Sequence, residues 1–438
     1  MSRVVSLLVF SLTILLAASA AGQGTEIPNI LFDTITGVYE PTQIGVDDTK
    51  YIGDRYITAQ DSLLMQYVTW VIQNDLDFYA DFELVPIDTF YLRVYEIAEL
   101  DLLGWKRLGV RYLVKLDAEF PGSNMRIRWH LYDTTTMKQF AKGNVEEHRS
   151  QWRELAHDVS NEIVRTLTGD PGIFRTRVVF VRQNDNAKEL FIADYDGSGE
   201  RQLTNTGAIN LSPMFSPDGG TIYFTSYLEG DPKLFKVSVA SGEMTKVADY
   251  PGIVAAPSLS PDGNKIACVL TKDGNSEIYV LDLSGRIIKR LTYHWAIDTS
   301  PTWSPDGRLL AFSSDRSGFP QIYIMDADGL NVRRLTYEGG YNDSPVWSAR
   351  SDRITFVSRS KAGRFDIASI DTSGNDYRIL TDRGMNENPH FAPDGKHIVF
   401  SSSRPGRREI YTMDITGRSQ RCLTNTGGCS NPVWGPLK

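Results

Sequence analysis

The sequence predicts two domains, an N-terminal α/β domain followed by an all-β six-bladed β-propeller. Three observations carry that expectation. A Ser-Pro-Asp-Gly turn returns at a fixed step through the second half of the chain. A Leu-Thr pair returns in step with it. The residues ahead of Arg175 lack the repeat and show helical spacing instead.

The repeat counts the blades. The turn proline falls at Pro217, Pro261, Pro305 and Pro393, with Ala349 in register between, and every step is 44. An apolar residue two places earlier keeps the same time: Phe215, Leu259, Trp303, Trp347, Phe391 and then Trp434. The second marker stands at Leu203, Val247, Leu291, Leu335, Leu380 and Leu423. Residues 175–438 number 264, or six units of 44. Each unit reads as four short strands, as in PTW, LLAFSS, QIYIMD and VRRLT, separated by turn residues. Four strands at this period describe a propeller blade of the WD40/PD40-like kind. The first unit lacks an innermost strand, and NPVWGP at the C-terminus supplies it, so the ring is closed by both chain ends.

The recurring turn is structural. Proline suits the second position of a type I turn, and glycine takes the positive φ that follows. The fourth unit has Ser348-Ala349-Arg350 in its place while its flanking strands persist, which a catalytic group would not allow.

Residues 1–20 read as a cleaved signal peptide. Arg3 is followed by an apolar run from Val4 to Leu16 and by Ala18-Ser19-Ala20. The run is short for a bilayer span, so no membrane insertion is expected. Residues 21–170 form the α/β domain. Leu63, Leu64, Tyr67, Val68, Val71 and Ile72 make a helical stripe over 58–75. A second helix is expected over 97–108, and paired strands in VRYLVKLDAEF and MRIRWHLYDTT. Trp152, Leu155, Ala156, Val159, Ile163 and Leu167 mark a third helix, which Gly169-Asp170-Pro171-Gly172 ends. The propeller takes residues 175–438.

Composition and motifs exclude several functions. A net charge of -8 without a basic run disfavours nucleic acid. No G-x-S-x-G elbow and no phosphate-binding glycine loop is present. The six histidines, at 130, 148, 157, 294, 390 and 397, lack metal-ligand spacing. No catalytic residue, metal or cofactor is therefore expected. Cys422 and Cys429 flank the turn-like LTNTGG, and an oxidising compartment permits a disulfide between them; the other reading is two unrelated small residues.

The informative loops run from the outer strand of one unit to the inner strand of the next. They lie on one face, around the channel mouth. They offer Tyr293, His294, Trp295, Asp298, Tyr341, Asn342, Asp343, Asn386 and Glu387, a mixture of aromatic and acidic groups suited to a protein interface.

Taken together, these motifs resemble the TolB family, the periplasmic components of the Tol–Pal envelope system. The resemblance covers nearly the whole mature chain. It rests on the SPDG…IY.MD…LT units, on the join ELAHDVSNEIVRTLTGDPGIFRTRVVFV, and on VIQNDLDFYADFELVPID and LGWKRLGVRYLVKL. It implies a non-catalytic scaffold, monomeric outside its complex. The propeller rim would bind the peptidoglycan-associated lipoprotein Pal. The mature N-terminal segment, through Glu26, Ile27, Asn29, Ile30, Leu31 and Asp33, would contact the inner-membrane protein TolA. The pair would serve outer-membrane integrity and constriction at division. One stretch departs from the family pattern: PTQIGVDDTKYIGD keeps only Pro41, Ile44 and Val46 of a Pro-Ile-Ala-Val-x-Pro-Phe-like segment. Two other classes share such repeats. One is a periplasmic propeller enzyme related to lyases or peptidases; the other is a sugar- or metal-binding propeller.

Overall fold

A computed structural model describes residues 41–54, 56–85, 101–350, 352–360 and 363–437. The expected signal peptide, the segment Glu26 to Asp33 and residues 97–100 of the expected second helix lie outside them.

The N-terminal domain is a mixed sheet with two helices against one face. β1 (Thr42–Val46) runs parallel to β3 (Phe82–Leu84) and β4 (Tyr112–Glu119), and β2 (Lys50–Tyr51) also pairs with β4. β4, β5 (Asn124–Asp133) and β6 (Lys138–His148) form an antiparallel meander. Alternation along β4 sends Tyr112, Val114, Leu116 and Ala118 to the helix face. Helix α1 spans Ala59–Phe78. Thr58 and Asp61 close its start as a capping box, each side chain accepting the other's N–H at 3.1 and 3.0 Å. The helical stripe is rotated from the expected one. Val68, Val71, Ile72 and Leu76 are buried, whereas Leu63 and Tyr67 stand half exposed at its edge, Tyr67 against Trp152. Helix α2 covers Leu102–Arg107, and α3 covers Trp152–Thr168. Gly169, at φ 78°, ends α3 with its N–H on the Arg165 carbonyl.

Six four-stranded antiparallel sheets follow, each blade paired in the order inner to outer. In blade four these are Asp298–Trp303, Leu309–Ser314, Gln321–Asp326 and Arg333–Arg334. Blade one takes its innermost strand, Cys429–Trp434, from the C-terminus, paired with Arg177–Asn184. The expected closure is thus present. Separate hydrophobic clusters fill the spaces between blades.

The outermost strands are shorter than expected, two residues in four blades of the six. The Leu-Thr pair explains this. Leu335 donates its N–H to the Ile322 carbonyl at 2.8 Å, and the Thr336 hydroxyl accepts the Ile322 N–H at 2.9 Å. A side chain thus completes the pairing that the backbone ladder leaves unfinished. The same hydroxyl donates to Gln321 Oε1 at 2.7 Å. Thr204, Thr381 and Thr424 repeat the arrangement on Glu189, Asp366 and Glu409.

The Ser-Pro-Asp-Gly turns behave as expected. Ser304 accepts the Leu309 N–H at 2.9 Å and donates to Asp306 at 2.7 Å, and Gly307 sits at φ 70°. The Asp306 carboxyl is held below its ordinary range first by the Ser304 hydroxyl and then by the Arg308 N–H.

The N-terminal domain sits on this turn end of the propeller, at blades six and one. Its core is continuous with theirs. His397 stacks on Phe78 at 4.8 Å, with its Nδ1 2.6 Å from Asp394 and its Nε2 3.3 Å from the Phe78 carbonyl. Lys396 reaches Asp81 and Asp170 at 2.6 and 2.8 Å, and Arg350 reaches Asp170 at 3.1 Å. In blade one, Tyr195 donates to Asp75, which also pairs with His157 Nδ1 at 2.9 Å. Trp434 Nε1 donates to Thr176 at 2.8 Å.

Candidate functional site

The loops expected to form the rim lie at the opposite end from the described part of the N-terminal domain, which leaves them open. The two markers of the repeat fix their placement. A blade's fourth strand ends at the Leu-Thr pair, and the chain then crosses to the next inner strand. At the blade three to blade four crossing, Tyr293 and Trp295 are 74% and 79% exposed. Arg290 lies over the Tyr293 ring at 4.4 Å, and the His294 and Trp295 rings are 5.1 Å apart. Asn275 fixes the loop by donating to the His294 and Ala296 carbonyls at 2.9 and 2.7 Å. An indole so exposed on a tethered loop is not packed between blades.

The other named residues divide. Tyr341 is half buried and donates to Asp343 at 3.0 Å. Burial pushes its phenol up, and the Asp343 charge adds to this. Glu387 pairs with Arg408. Asp298, Asn342 and Asn386 are fully buried, and their expected role as contacts is corrected. Each opens an inner strand, where the pleat turns its side chain into a buried network. Asp298 holds Arg316 through both oxygens at 3.0 and 2.9 Å. Asn342 donates to Gln321 at 2.9 Å, and Asn386 to Asp366 at 3.3 Å. Asn342 and Asn386 thus tie blades together, whereas Asp298 and Arg316 pair within blade four.

The possible disulfide is also corrected. Cys422 and Cys429 are free thiols. Cys422 belongs to the outer strand of blade six, where its partner is Tyr411, and Cys429 opens the inner strand of blade one, opposite Arg182. Their ladders belong to different blades, and their sulfurs donate to the Thr424 and Gly427 carbonyls.

Sequence reasoning missed part of the rim. Tyr337 occupies the Tyr293 position one repeat later and is 73% exposed, with Arg334 over its ring at 4.9 Å. Phe319, in the loop between the second and third strands of blade four, is 68% exposed. The 44-residue step could have found the first; the second has no equivalent in the other blades. A further regularity lines the channel. Ser212, Ala256, Ser300, Ser344, Asn388 and Asn431 all have φ between 47° and 56°, and each precedes a proline. They make the bulge at which every inner strand shifts register.

Among the described residues, no cluster of three or more His, Cys, Asp or Glu side chains is arranged to hold a metal, and no helix is long and apolar enough to cross a membrane.

Comparison with known proteins places this architecture. The family described as TolB beta propeller domain matches residues 164–438, and the TolB amino-terminal domain matches residues 34–140. The chain is 33% identical over 248 residues to the Tol-Pal system protein TolB of Cereibacter sphaeroides, covering 55% of this chain and 54% of that one. It is 38% identical over 188 residues to the corresponding protein of Geobacter sulfurreducens, covering 42% of each. The chain therefore spans about half the length of the curated relatives it matches. The crystal structure of TolB from Acinetobacter baumannii superposes with a TM-score of 0.79 at 27% identity, over 91% of this chain and 97% of that one. With both domains matched and most of the architecture shared with a solved member, this chain belongs to the TolB family of Tol–Pal system proteins.

Proposed function

We propose that this chain is a periplasmic, non-catalytic scaffold that joins two partners of the Tol–Pal system. Its propeller, taken as residues 175–438, binds a Pal-like outer-membrane lipoprotein through the rim. Its N-terminal domain and leading segment, within residues 21–170, meet a TolA-like inner-membrane protein. The segment Glu26 to Asp33 would supply that second contact; it lies outside the described residues. The linkage would maintain the outer membrane and its constriction at division.

One observation carries the reading. The exposed aromatics Tyr293, Trp295 and Tyr337 cluster on the end of the ring opposite the described part of the N-terminal domain. Such rings supply contact area at little entropic cost, and their neighbours Asp343 and Glu387 give a polar border.

The test is capture of a Pal-like lipoprotein from envelope extract by the mature chain. Trp295→Ala combined with His294→Ala should cut capture at least about tenfold, as expected for a central aromatic contact. Adding Asp343→Arg should reduce it further. Undiminished capture by the triple variant would refute the rim assignment.

A further inference from the structure

We infer that the rim is divided by charge, so that blades five and six receive an acidic patch of the partner while the aromatic sector beside them seats an apolar crest. This rests on the rim reading above and adds the chemistry of the partner's surface.

The six loops joining second to third strands stand at one repeat position and face the same end as the aromatic loops. Their charges differ systematically. The blade-two loop carries only Glu229 and Asp231. Blade three has Lys272 and Asp273, neutralising each other at 2.7 Å. In blade four, Arg316 turns inward onto Asp298. The blade-five loop has Arg359 and Arg364 and no acid over 359–364; the blade-six loop has Arg404, Arg407 and Arg408 and no acid over 403–408.

Arg404 turns inward onto Asn386, as Arg316 does on Asp298, and Arg408 is taken by Glu387 of the rim. The acids nearest Arg364 and Arg407 support them from beneath. Arg364 meets Asp366 at 3.0 Å, and Arg407 meets Glu409 at 2.9 Å. Both carboxylates are buried members of the threonine joints described above, whereas 56% of the Arg407 side chain faces solvent. A guanidinium has five donors, so one held on a single carboxylate still presents N–H groups outward. Arg383, on the adjoining crossing loop, is 81% exposed, and its one ion pair among the described residues is with Asp382 at 3.9 Å.

A chain of net charge -8 repels an acidic partner on average. A local arc of arginines reverses that field over one sector and so fixes the partner's approach and rotation about the channel axis. The exposed indole and phenol beside the arc favour a protein over a free polyanion, which would have no use for them.

The experiment measures association of the mature chain with the soluble part of the Pal-like lipoprotein of the same cell, at low and high salt. Arg359→Glu with Arg383→Glu should slow association about tenfold at low salt, and the difference should shrink to within about twofold at high salt. Trp295→Ala with Tyr337→Ala should speed dissociation at both. If the aromatic pair matters and charge reversal does not, the division by charge is wrong and the rim reading stands. If neither matters, both fall. If polyglutamate competes and the aromatic pair has no effect, the arc serves a free polyanion and the inference is overturned. Each variant is checked by thermal unfolding; a loss of fold is met with Arg383→Glu alone, which touches no buried group.

Discussion

Thr336→Val tests what anchors the outer end of a blade to its third strand. The change keeps side-chain volume and removes one hydroxyl. That hydroxyl accepts the Ile322 N–H at 2.9 Å and donates to Gln321 at 2.7 Å, with Thr336 fully buried. Its loss leaves a buried N–H without this acceptor. Gln321 Oε1 keeps the Asn342 amide at 2.9 Å, so only one of the two contacts is wholly lost. An unsatisfied buried donor costs about 1–3 kcal/mol. For a unit of this size, that lowers Tm by about 2–6 °C. Differential scanning calorimetry and urea unfolding should agree on the shift. Blade two is an internal control. It carries Ala248 at the threonine position and Lys233 at the acceptor position, and Lys233 Nζ instead donates to the Tyr250 carbonyl at 2.6 Å. Ala248→Thr should therefore bring no gain, because no carboxylate or amide oxygen awaits its hydroxyl. A Thr336→Val variant within about 0.5 kcal/mol of the parent, or a stabilising Ala248→Thr, would show that the Leu-Thr marker reflects strand propensity and not this joint.

Further outcomes follow from other contacts. Trp434→Ala removes a buried indole that packs at the ring seam and donates to Thr176, and should cost about 3–5 kcal/mol; removing the last eight residues should unfold the propeller as a whole, both seen by calorimetry. Burial pushes the His157 imidazole down, but the charge and hydrogen bond of Asp75 outweigh it and hold the ring above its ordinary value. With the folded value raised, its stabilisation is fully present below about pH 6.5 and fades as pH rises through the folded value. His157→Gln should flatten that slope in unfolding measured from pH 5.5 to 8.5, taken as about the span over which an imidazole titrates. Titration of the denatured, unreduced protein should find three free thiols, at Cys268, Cys422 and Cys429. Trp295→Ala should leave Tm within about 1 °C, since the indole is exposed.

The ring was legible in the sequence because each blade restates the same backbone demands. Pro305 and Gly307 mark a turn wherever they fall, and the apolar run in QIYIMD marks a strand buried on both faces of a blade. Closure was legible for the same reason, as the first unit lacked a strand and the last residues supplied it. The joints between blades were not. Asp298, Asn342 and Asn386 are polar residues beside loops, which reads as exposure. Only the pleat and the folded contacts, across the blade for Asp298 and between blades for Asn342 and Asn386, show that each side chain enters a buried network. The N-terminal sheet was half legible, because β1 and β3 pair in parallel through residues far apart in sequence, and no local pattern announces such a pairing. Leu63 and Tyr67 were misplaced by one edge of the helix, since a 3.6-residue period cannot choose between adjacent faces.

The linker from α3 enters the propeller through Arg177–Asn184, the second strand of its blade and not the first. That strand is flanked by Cys429–Trp434 on one side and by Ala187–Asp194 on the other. A pull on the N-terminal domain against a partner held at the rim is therefore carried into a strand bonded along both edges. Peeling it away requires two ladders to give at once. Had the chain entered at an outermost strand of two residues, the same force would unzip the blade from its edge. If the chain links partners in different membranes, as proposed above, the seam that closes the ring doubles as the fitting that bears tension.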